Sequence, residues 1–190
     1  MSEKDQQIMR AAEKLFTARR YDEVKLDDVA QTAGVGKGTI YRYFDNKEAL
    51  YFRTLMFGLE ELVERMEAMS QGKTDGAATL PELAATQVEF FSEHRSLFAL
   101  LHSEELRKAK RERNLRPRWR ERKQTIRDIY VRTIQRGIES GRYRADTDPE
   151  LTAAFLMGML RSGGRQLKGR THDLADQAVR IIERGICSEG

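Results

Sequence analysis

The stretch that decides the fold is LDDVAQTAGVGKGTIYRYFDN, residues 26–46. Its first part carries an apolar stripe at helical spacing and ends at Gly34, the residue type that usually follows a helix end. Val35 is a single apolar residue in the turn, and Ile40 and Phe44 then resume helical spacing. Two short helices joined by a Gly-containing turn of about three or four residues form a helix-turn-helix. The segment therefore predicts this motif.

Helices are also predicted on both sides of this segment. Residues 6–19 carry an apolar stripe along one face, which is typical of an amphipathic helix. Downstream, Asn46 is a suitable cap for a long helix that begins at Lys47, because an Asn oxygen accepts a free first-turn N–H. Asp27 and Asp28 lie in the first turn of the helix that opens at residue 26, where negative charge suits the helix dipole.

The sequence pattern of the rest of the chain predicts only helices. Pro117 and Gly141 suit the first turn and the end of one long helix, and Asp148-Pro149-Glu150 is a start signal for another. The predicted segments are residues 83–91, 96–106, 117–141, 148–160 and 173–186. We therefore predict an all-α protein of about nine helices. The expected domains are a three-helix helix-turn-helix head, residues 1–47, and a helical ligand-binding and dimerisation domain, residues 48–190.

Composition excludes several classes of protein. The longest uninterrupted apolar run, residues 153–160, is far shorter than the ~18–20 residues of a membrane span, so a membrane protein is excluded. A single cysteine, Cys187, leaves neither an intramolecular disulfide nor a cysteine zinc cluster, and three scattered histidines do not indicate a metal site. No catalytic or phosphate-binding motif is present, so we expect neither an enzyme nor a cofactor. The charged N-terminus lacks a secretory signal, which favours a cytoplasmic protein.

The second helix of the motif has a distinct outer face. Ile40 and Phe44 share one side of the helix wheel, whereas Gly38, Tyr41 and Arg42 share the other. Arginine can contact guanine through two hydrogen bonds in the major groove, tyrosine can contact phosphate or a thymine methyl, and glycine allows a close approach. This face therefore indicates DNA recognition.

At this point the sequence resembles the TetR family of bacterial transcriptional regulators. The resemblance is dense over about the first fifty residues and much looser near residues 148–151. The matching residues are Ala11-Ala12, Leu15-Phe16, Tyr21, Val29-Ala30, Ala33-Gly34-Val35, residues 37–44 (KGTIYRYF) and residues 46–50 (NKEAL). The resemblance implies a ligand-responsive DNA-binding regulator, most simply a homodimeric repressor that a small-molecule effector releases from a pseudo-palindromic operator in double-stranded DNA.

The resemblance also implies which residues meet DNA. Tyr41, Tyr43 and Lys47 occupy positions that contact the DNA backbone in the family. The sequence departs from the family pattern in two places. Lys25 and Leu26 stand where a Ser or Thr usually caps the second helix, and Gly36 stands where another commonly precedes the recognition helix. The predicted DNA-binding residues are Lys25, Gly36, Lys37, Gly38, Thr39, Tyr41, Arg42, Tyr43 and Lys47.

Two further sites are expected in the second domain. Members of the family usually enclose an apolar ligand cavity there, and the residues expected to line it are also compatible with an ordinary core. These are Met56, Met66, Phe90, Phe91, Phe98, Leu101, Trp119, Ile126 and Tyr130. The last two helices are expected to form a four-helix dimer interface through Leu151, Phe155, Leu156, Met159, Ile181 and Ile182.

The charge distribution leaves one alternative open. Ten basic residues and two acidic ones fall within residues 107–123, whereas residues 1–52 hold nine of each sign. The basic segment is compatible with a solvated helix face, and also with an anion- or protein-interaction module that would be the function of the whole chain. Because residues 1–52 are formally neutral, the prediction of DNA binding depends on residue spacing and not on net charge.

Overall fold

The computed structural model describes residues 2–71, 79–94, 115–166 and 171–187. Within these ranges the chain is all-helical, with eight α-helices and one short 3₁₀ helix, Tyr21–Glu23, so the predicted fold class is confirmed. The predicted helix at residues 96–106 lies outside the described residues. The helices are α1 (Glu3–Ala18), α2 (Leu26–Thr32), α3 (Lys37–Tyr43), α4 (Lys47–Ser70), α5 (Leu80–Glu93), α6 (Leu115–Glu139), α7 (Pro149–Gln166) and α8 (Thr171–Ile186).

Side-chain caps fix where several helices begin. Asn46 accepts the Ala49 N–H at 2.9 Å, and Asp148 accepts the Glu150 N–H at the same distance, so both predicted starts are confirmed. Helix α1 begins three residues earlier than predicted because the Ser2 hydroxyl accepts the Asp5 N–H at 3.2 Å, while the Asp5 carboxylate accepts the Ser2 N–H. This reciprocal pair is a capping box.

The described residues divide into two compact units. The first contains the residues up to Glu61, together with His94 and residues 115–119. The second contains Leu62–Glu93 and the described residues from Arg120 onward. Within the described ranges, no helix is long and apolar enough to cross a membrane.

An aromatic cluster forms part of the core of the first unit. The ring of Phe16 lies 4.9 Å from that of Tyr51 and 5.9 Å from that of Tyr21, with the first pair edge to face. Such pairs stabilise a fold by about 0.5–1.5 kcal/mol beyond the burial of their area. Burial also raises the pKa of the Tyr51 phenol above its usual value. The cluster joins α1 and α4 to the 3₁₀ helix that precedes the helix-turn-helix.

The core of the second unit includes buried polar pairs. The Tyr130 hydroxyl on α6 is fully buried and donates to the Gln87 side-chain oxygen on α5 at 3.0 Å. Arg136 donates to the Ser70 carbonyl oxygen at 2.8 Å, which satisfies one of the last carbonyls of α4. These bonds hold three helices together at specific positions, because a buried polar group without a partner is costly.

The end of α6 is fixed by an aromatic ring that lies on a glycine. Gly141 has a positive φ of 76°, and the chain then turns so that the Tyr143 N–H donates to the Gly137 carbonyl at 2.9 Å. The buried Tyr143 ring lies directly over Gly137, where a Cβ atom would come within 2.1 Å of it. The Tyr143 hydroxyl donates to Glu183 of α8 at 3.0 Å.

Candidate nucleic-acid interface

The turn between α2 and α3 depends on Gly34. This residue has a φ of 67°, in the left-handed region where only glycine is free of strain. Its N–H donates to the Gln31 carbonyl at 3.2 Å, and the Val35 N–H donates to the Ala30 carbonyl at 3.0 Å. These two bonds are the Schellman arrangement, which satisfies the last carbonyls of α2 and reverses the chain. The predicted helix-turn-helix is therefore present.

Helix α3 turns the predicted face outward. Ile40 is fully buried and Phe44 is 3% exposed, so both anchor the helix to the core of the first unit. Tyr41 is 55% exposed, and Arg42 and Gly38 are exposed on the same outer surface. The helix begins at Lys37, and Phe44 is its C-cap residue.

The two helices of the motif begin without a hydroxyl cap. Lys25 is the N-cap residue of α2, and its N–H donates to the Asp28 carboxylate at 3.2 Å. Gly36 precedes α3 with an ordinary extended backbone, and its carbonyl accepts the Thr39 N–H at 2.9 Å. Glycine costs only a few tenths of a kcal/mol relative to the best N-cap residues. Both departures from the family pattern are thus compatible with well-formed helices.

A carboxylate of α2 joins two outward side chains of α3. Asp27 accepts the Lys37 ammonium at 2.7 Å through one oxygen and the Tyr41 hydroxyl at 3.4 Å through the other. The hydrogen bond from Lys37 holds the pKa of the Asp27 carboxyl below its usual value, and the same bond raises the pKa of Lys37. Both groups are therefore charged at neutral pH.

Arg42 and Tyr43 lie side by side on α3. The Arg42 guanidinium carbon lies 5.6 Å from the centre of the Tyr43 ring, within the range of a cation–π contact. Tyr43 is half-buried, and its ring lies 6.4 Å from that of Phe44. The tyrosine thus supports the arginine while the guanidinium stays exposed.

The ammonium group of Lys47 forms hydrogen bonds within the protein. Its ammonium donates to the Tyr21 carbonyl at 2.9 Å and to the Asp22 carbonyl at 3.4 Å, and lies 4.3 Å from the centre of the Tyr21 ring. The lysine therefore fastens the 3₁₀ helix to the start of α4. Its predicted contact with phosphate stays a prediction, and would require these bonds to be released or shared.

Two of these features were not predicted from the sequence. Asp27 pairs with Lys37 ten residues further along the chain, and this contact depends on how closely α2 and α3 cross, which the helix pattern does not predict. The attachment of Lys47 to the carbonyl of Tyr21 has no local signal, because the two residues are far apart in sequence. The face of α3 otherwise contains the predicted residues, with a guanidinium, an ammonium and a phenol exposed together.

The predicted ligand-pocket residues are mostly buried in the core. Met66, Phe90, Ile126 and Tyr130 are buried in the second unit, and Met56 is buried in the first. Phe91 and Trp119 are partly exposed, whereas Phe98 and Leu101 lie outside the described residues. An open surface cavity of about 440 Å³ lies elsewhere in the second unit, and its lining residues are Pro81, Asp176, Val179, Arg180, Glu183, Arg184 and Cys187.

The predicted dimer residues fall into three groups by exposure. Leu151, Phe155 and Ile181 are exposed, with fractions of 47%, 62% and 61%. Met159 and Ile182 are partly exposed, whereas Leu156 is fully buried in the core of its own unit. Helices α7 and α8 pack against each other, so the exposed residues belong to neighbouring elements.

Only part of the basic segment, residues 107–123, can be placed. Residues 107–114 lie outside the described residues, and the described basic side chains are those of Arg118, Arg120, Arg122 and Lys123 on α6. Three of them are exposed, while Arg122 is partly buried. Among the described residues, no group of three His, Cys, Asp or Glu side chains is arranged to hold a metal ion.

The fold and the exposed face of α3 define a helix-turn-helix protein that binds DNA. Comparison with known proteins leads to the same class of protein. Residues 8–54 match the model of the bacterial regulatory proteins of the tetR family, and residues 73–186 match that of the tetracyclin repressor-like C-terminal domain. The chain therefore belongs to the TetR family and is a DNA-binding transcriptional regulator.

Individual relatives extend this comparison over most of the chain. The HTH-type transcriptional regulator YhgD of Bacillus subtilis is 30% identical over 160 residues, which cover 79% of this chain and 76% of that protein. The HTH-type transcriptional repressor KstR2 of Rhodococcus jostii is 27% identical over 150 residues, which cover 79% of this chain and 72% of that protein. The crystal structure of the regulator FadR of Bacillus subtilis, in complex with stearoyl-CoA, superposes with a TM-score of 0.68 at 25% sequence identity. The match covers 95% of this chain and 98% of the FadR chain.

Proposed function

We propose that this protein is a homodimeric repressor that binds a pseudo-palindromic operator and is released from it by a small molecule. The observation that carries the proposal is the outer face of α3, where Lys37, Tyr41 and Arg42 are exposed together above the buried Ile40. A repressor acts on chromosomal DNA, so we expect the protein to work in the cytoplasm.

The exposed residues of α3 suit different parts of the DNA. The guanidinium of Arg42 matches the two acceptors of guanine in the major groove. Tyr41 can donate to a phosphate or pack on a thymine methyl, and Gly38 allows the helix to come close to the bases, since nothing lies within 4 Å of its Cβ position. Lys25, the N-cap residue of α2, and Thr39, in the first turn of α3, are proposed to contact phosphates.

Dimerisation is proposed through α7 and α8. Exposed Leu151, Phe155 and Ile181 place apolar surface in water, and a second copy of the same helices would cover it. A dimer with a two-fold axis presents two copies of α3 to successive major grooves, about 34–36 Å apart. This geometry explains why the operator would be pseudo-palindromic.

The effector is proposed to bind within the second unit and to have a long apolar part. Buried Met66, Phe90 and Ile126 would line an apolar site, and the Tyr130–Gln87 pair would supply a polar contact. The related regulator FadR is seen in complex with stearoyl-CoA, which has such a chain. A coupling free energy of about 1–3 kcal/mol between the two sites would change operator affinity about 5- to 150-fold.

The experiment begins with the DNA that the protein selects. Sequences enriched from a random library by the wild-type protein, together with the region upstream of its own gene, are tested by fluorescence anisotropy at about 150 mM salt, where non-specific binding is weak. Tyr41→Ala and Arg42→Ala are each expected to weaken binding to the selected sequence by about 1–3 kcal/mol. A wild-type protein that enriches no sequence would refute the proposal.

A matched control separates this proposal from the alternative based on the basic segment. Arg118→Ala and Arg120→Ala each remove an exposed positive charge outside the helix-turn-helix and are expected to leave operator binding unchanged. If these two variants abolish binding while Tyr41→Ala has no effect, the function lies in the basic segment. Stearoyl-CoA is then added to the wild-type complex, and release of the labelled operator is the expected result.

A further inference from the structure

A single carboxylate bridges two turns of α3. Asp27 lies in the first turn of α2, and its two oxygens accept hydrogen bonds from Lys37 at 2.7 Å and from Tyr41 at 3.4 Å. Residues four apart on a helix lie on the same side, so both partners belong to one outward strip. The contact fixes a flexible lysine and an exposed tyrosine relative to the first helix of the motif.

The neighbouring Asp28 shows that Asp27 is not needed to start α2. Asp28 accepts the Lys25 N–H at 3.2 Å and lies 3.7 Å from the Arg19 guanidinium. It therefore supplies the carboxylate that the helix start requires. The hydrogen bonds described for Asp27 both come from α3, so its role concerns the outward strip of that helix.

The pair also changes what Lys37 can do at the surface. The Lys37 side chain is 72% exposed, and a free ammonium there would contact any phosphate, independently of sequence. With one of its three donors on Asp27, the ammonium keeps two for other acceptors. Guanine O6 and N7 are such acceptors. The carboxylate itself carries negative charge and repels the phosphates of DNA that offers no compensating base contact.

We infer that Asp27 is a specificity-determining residue, which positions Lys37 and Tyr41 for base contact and weakens binding to unrelated DNA. The inference rests on the proposed function, because it takes the outer face of α3 as the DNA-reading surface. The inference adds a negatively charged residue that increases the preference for the operator over unrelated DNA without increasing the affinity for the operator.

The test compares wild type with Asp27→Asn, which keeps the size and hydrogen-bonding oxygen of the side chain and removes its charge. Two duplexes are titrated over a range of KCl concentrations, one of random sequence and one selected by the wild type from a library. Affinity for the random duplex is expected to rise about tenfold at moderate salt, and the slope of log K against log salt to steepen by about one per protomer. Affinity for the selected duplex is expected to change less than about threefold, so the ratio of the two affinities falls.

Two controls make the result specific to the pair. Asp22→Asn removes the same charge from the head at a side chain that is paired with Arg20 at 4.0 Å, and it is expected to leave the ratio unchanged. In a Lys37→Ala background, Asp27→Asn is expected to lose most of its effect, because the two residues act together.

The outcomes distinguish this inference from the function on which it rests. If the wild type selects a sequence but Asp27→Asn keeps the wild-type ratio, or matches Asp22→Asn, Asp27 has no role in specificity and the inference is overturned. If the wild type selects no sequence, the proposed function fails and the inference fails with it. A lowered ratio with a steeper salt dependence supports both.

Discussion

Replacing Gly137 by alanine should destabilise the second unit, although alanine is the better helix former. The added Cβ would lie 2.1 Å from one carbon of the Tyr143 ring and 2.3 Å from another, which is far closer than van der Waals contact. The ring must therefore move from a position in which the tyrosine is only 3% exposed. Its hydroxyl would lose the 3.0 Å bond to Glu183, which joins the end of α6 to α8.

The size of the effect follows from these losses. Re-exposing a large aromatic side chain costs about 1.5–3 kcal/mol. A hydrogen bond to a charged group contributes about 1.5–3 kcal/mol when it is broken in a partly buried site. The gain in helix propensity from glycine to alanine offsets about 1 kcal/mol. The free energy of unfolding should fall by about 2–5 kcal/mol, which for a chain of this length lowers Tm by about 4–20 °C.

The assay is urea and thermal unfolding followed by circular dichroism at one fixed protein concentration. Gly185→Ala is the matched control, because Gly185 also lies in a helix and its Cβ position has nothing within 4 Å. That variant should be neutral or slightly stabilised. Equal stability of the two variants would refute the packing argument. A second check is Tyr143→Ala, in whose background Gly137→Ala should no longer destabilise.

Three further predictions concern other parts of the molecule. Gly34→Ala should lower the free energy of unfolding by about 1–2 kcal/mol, because the φ of Gly34 is 67° and alanine is strained there. Gly38→Ala should raise the free energy of unfolding by up to about 1 kcal/mol, because nothing lies near its Cβ position on α3 and alanine is the better helix former. Urea unfolding curves that rank the two variants in the opposite order would contradict this. Tyr130→Phe should cost about 1–3 kcal/mol by leaving the buried Gln87 oxygen without its donor, and an unchanged urea midpoint would count against that bond. Burial raises the pKa of Glu13, so the folded state binds the proton more tightly than the unfolded state, and the contribution of this group to stability is lost as pH rises above 4.5. Glu13→Gln should flatten that part of the pH profile of unfolding, and identical profiles would disprove the assignment.

Features encoded by neighbouring residues were predictable from the sequence. Gly34 and Asn46 act through backbone conformation and a cap within a few residues of themselves, so their residue types predict the turn and the helix start. The orientation of α3 follows from the spacing of Ile40 and Phe44, because the period of a helix fixes which side chains share a face.

Contacts between distant residues were not predictable in the same way. The Asp27–Lys37 pair spans the turn and depends on how closely α2 and α3 cross. The bond from Lys47 to the Tyr21 carbonyl depends on where the end of α1 brings the chain. Side-chain partners of this kind are set by the packed fold. The pattern of residue types therefore predicted which face of α3 is exposed, but not the internal bonds that hold or neutralise its cations.

The attachment of Lys47 has a consequence for genetics. A screen for lost repression would return variants at this position for two separate reasons, loss of the predicted phosphate contact and release of the 3₁₀ helix from α4. Loss of repression alone therefore does not identify Lys47 as a DNA ligand. The abundance of each such variant in the cell must therefore be measured. A variant whose helix-turn-helix head is destabilised would be degraded faster than a folded variant that has lost only a contact with DNA.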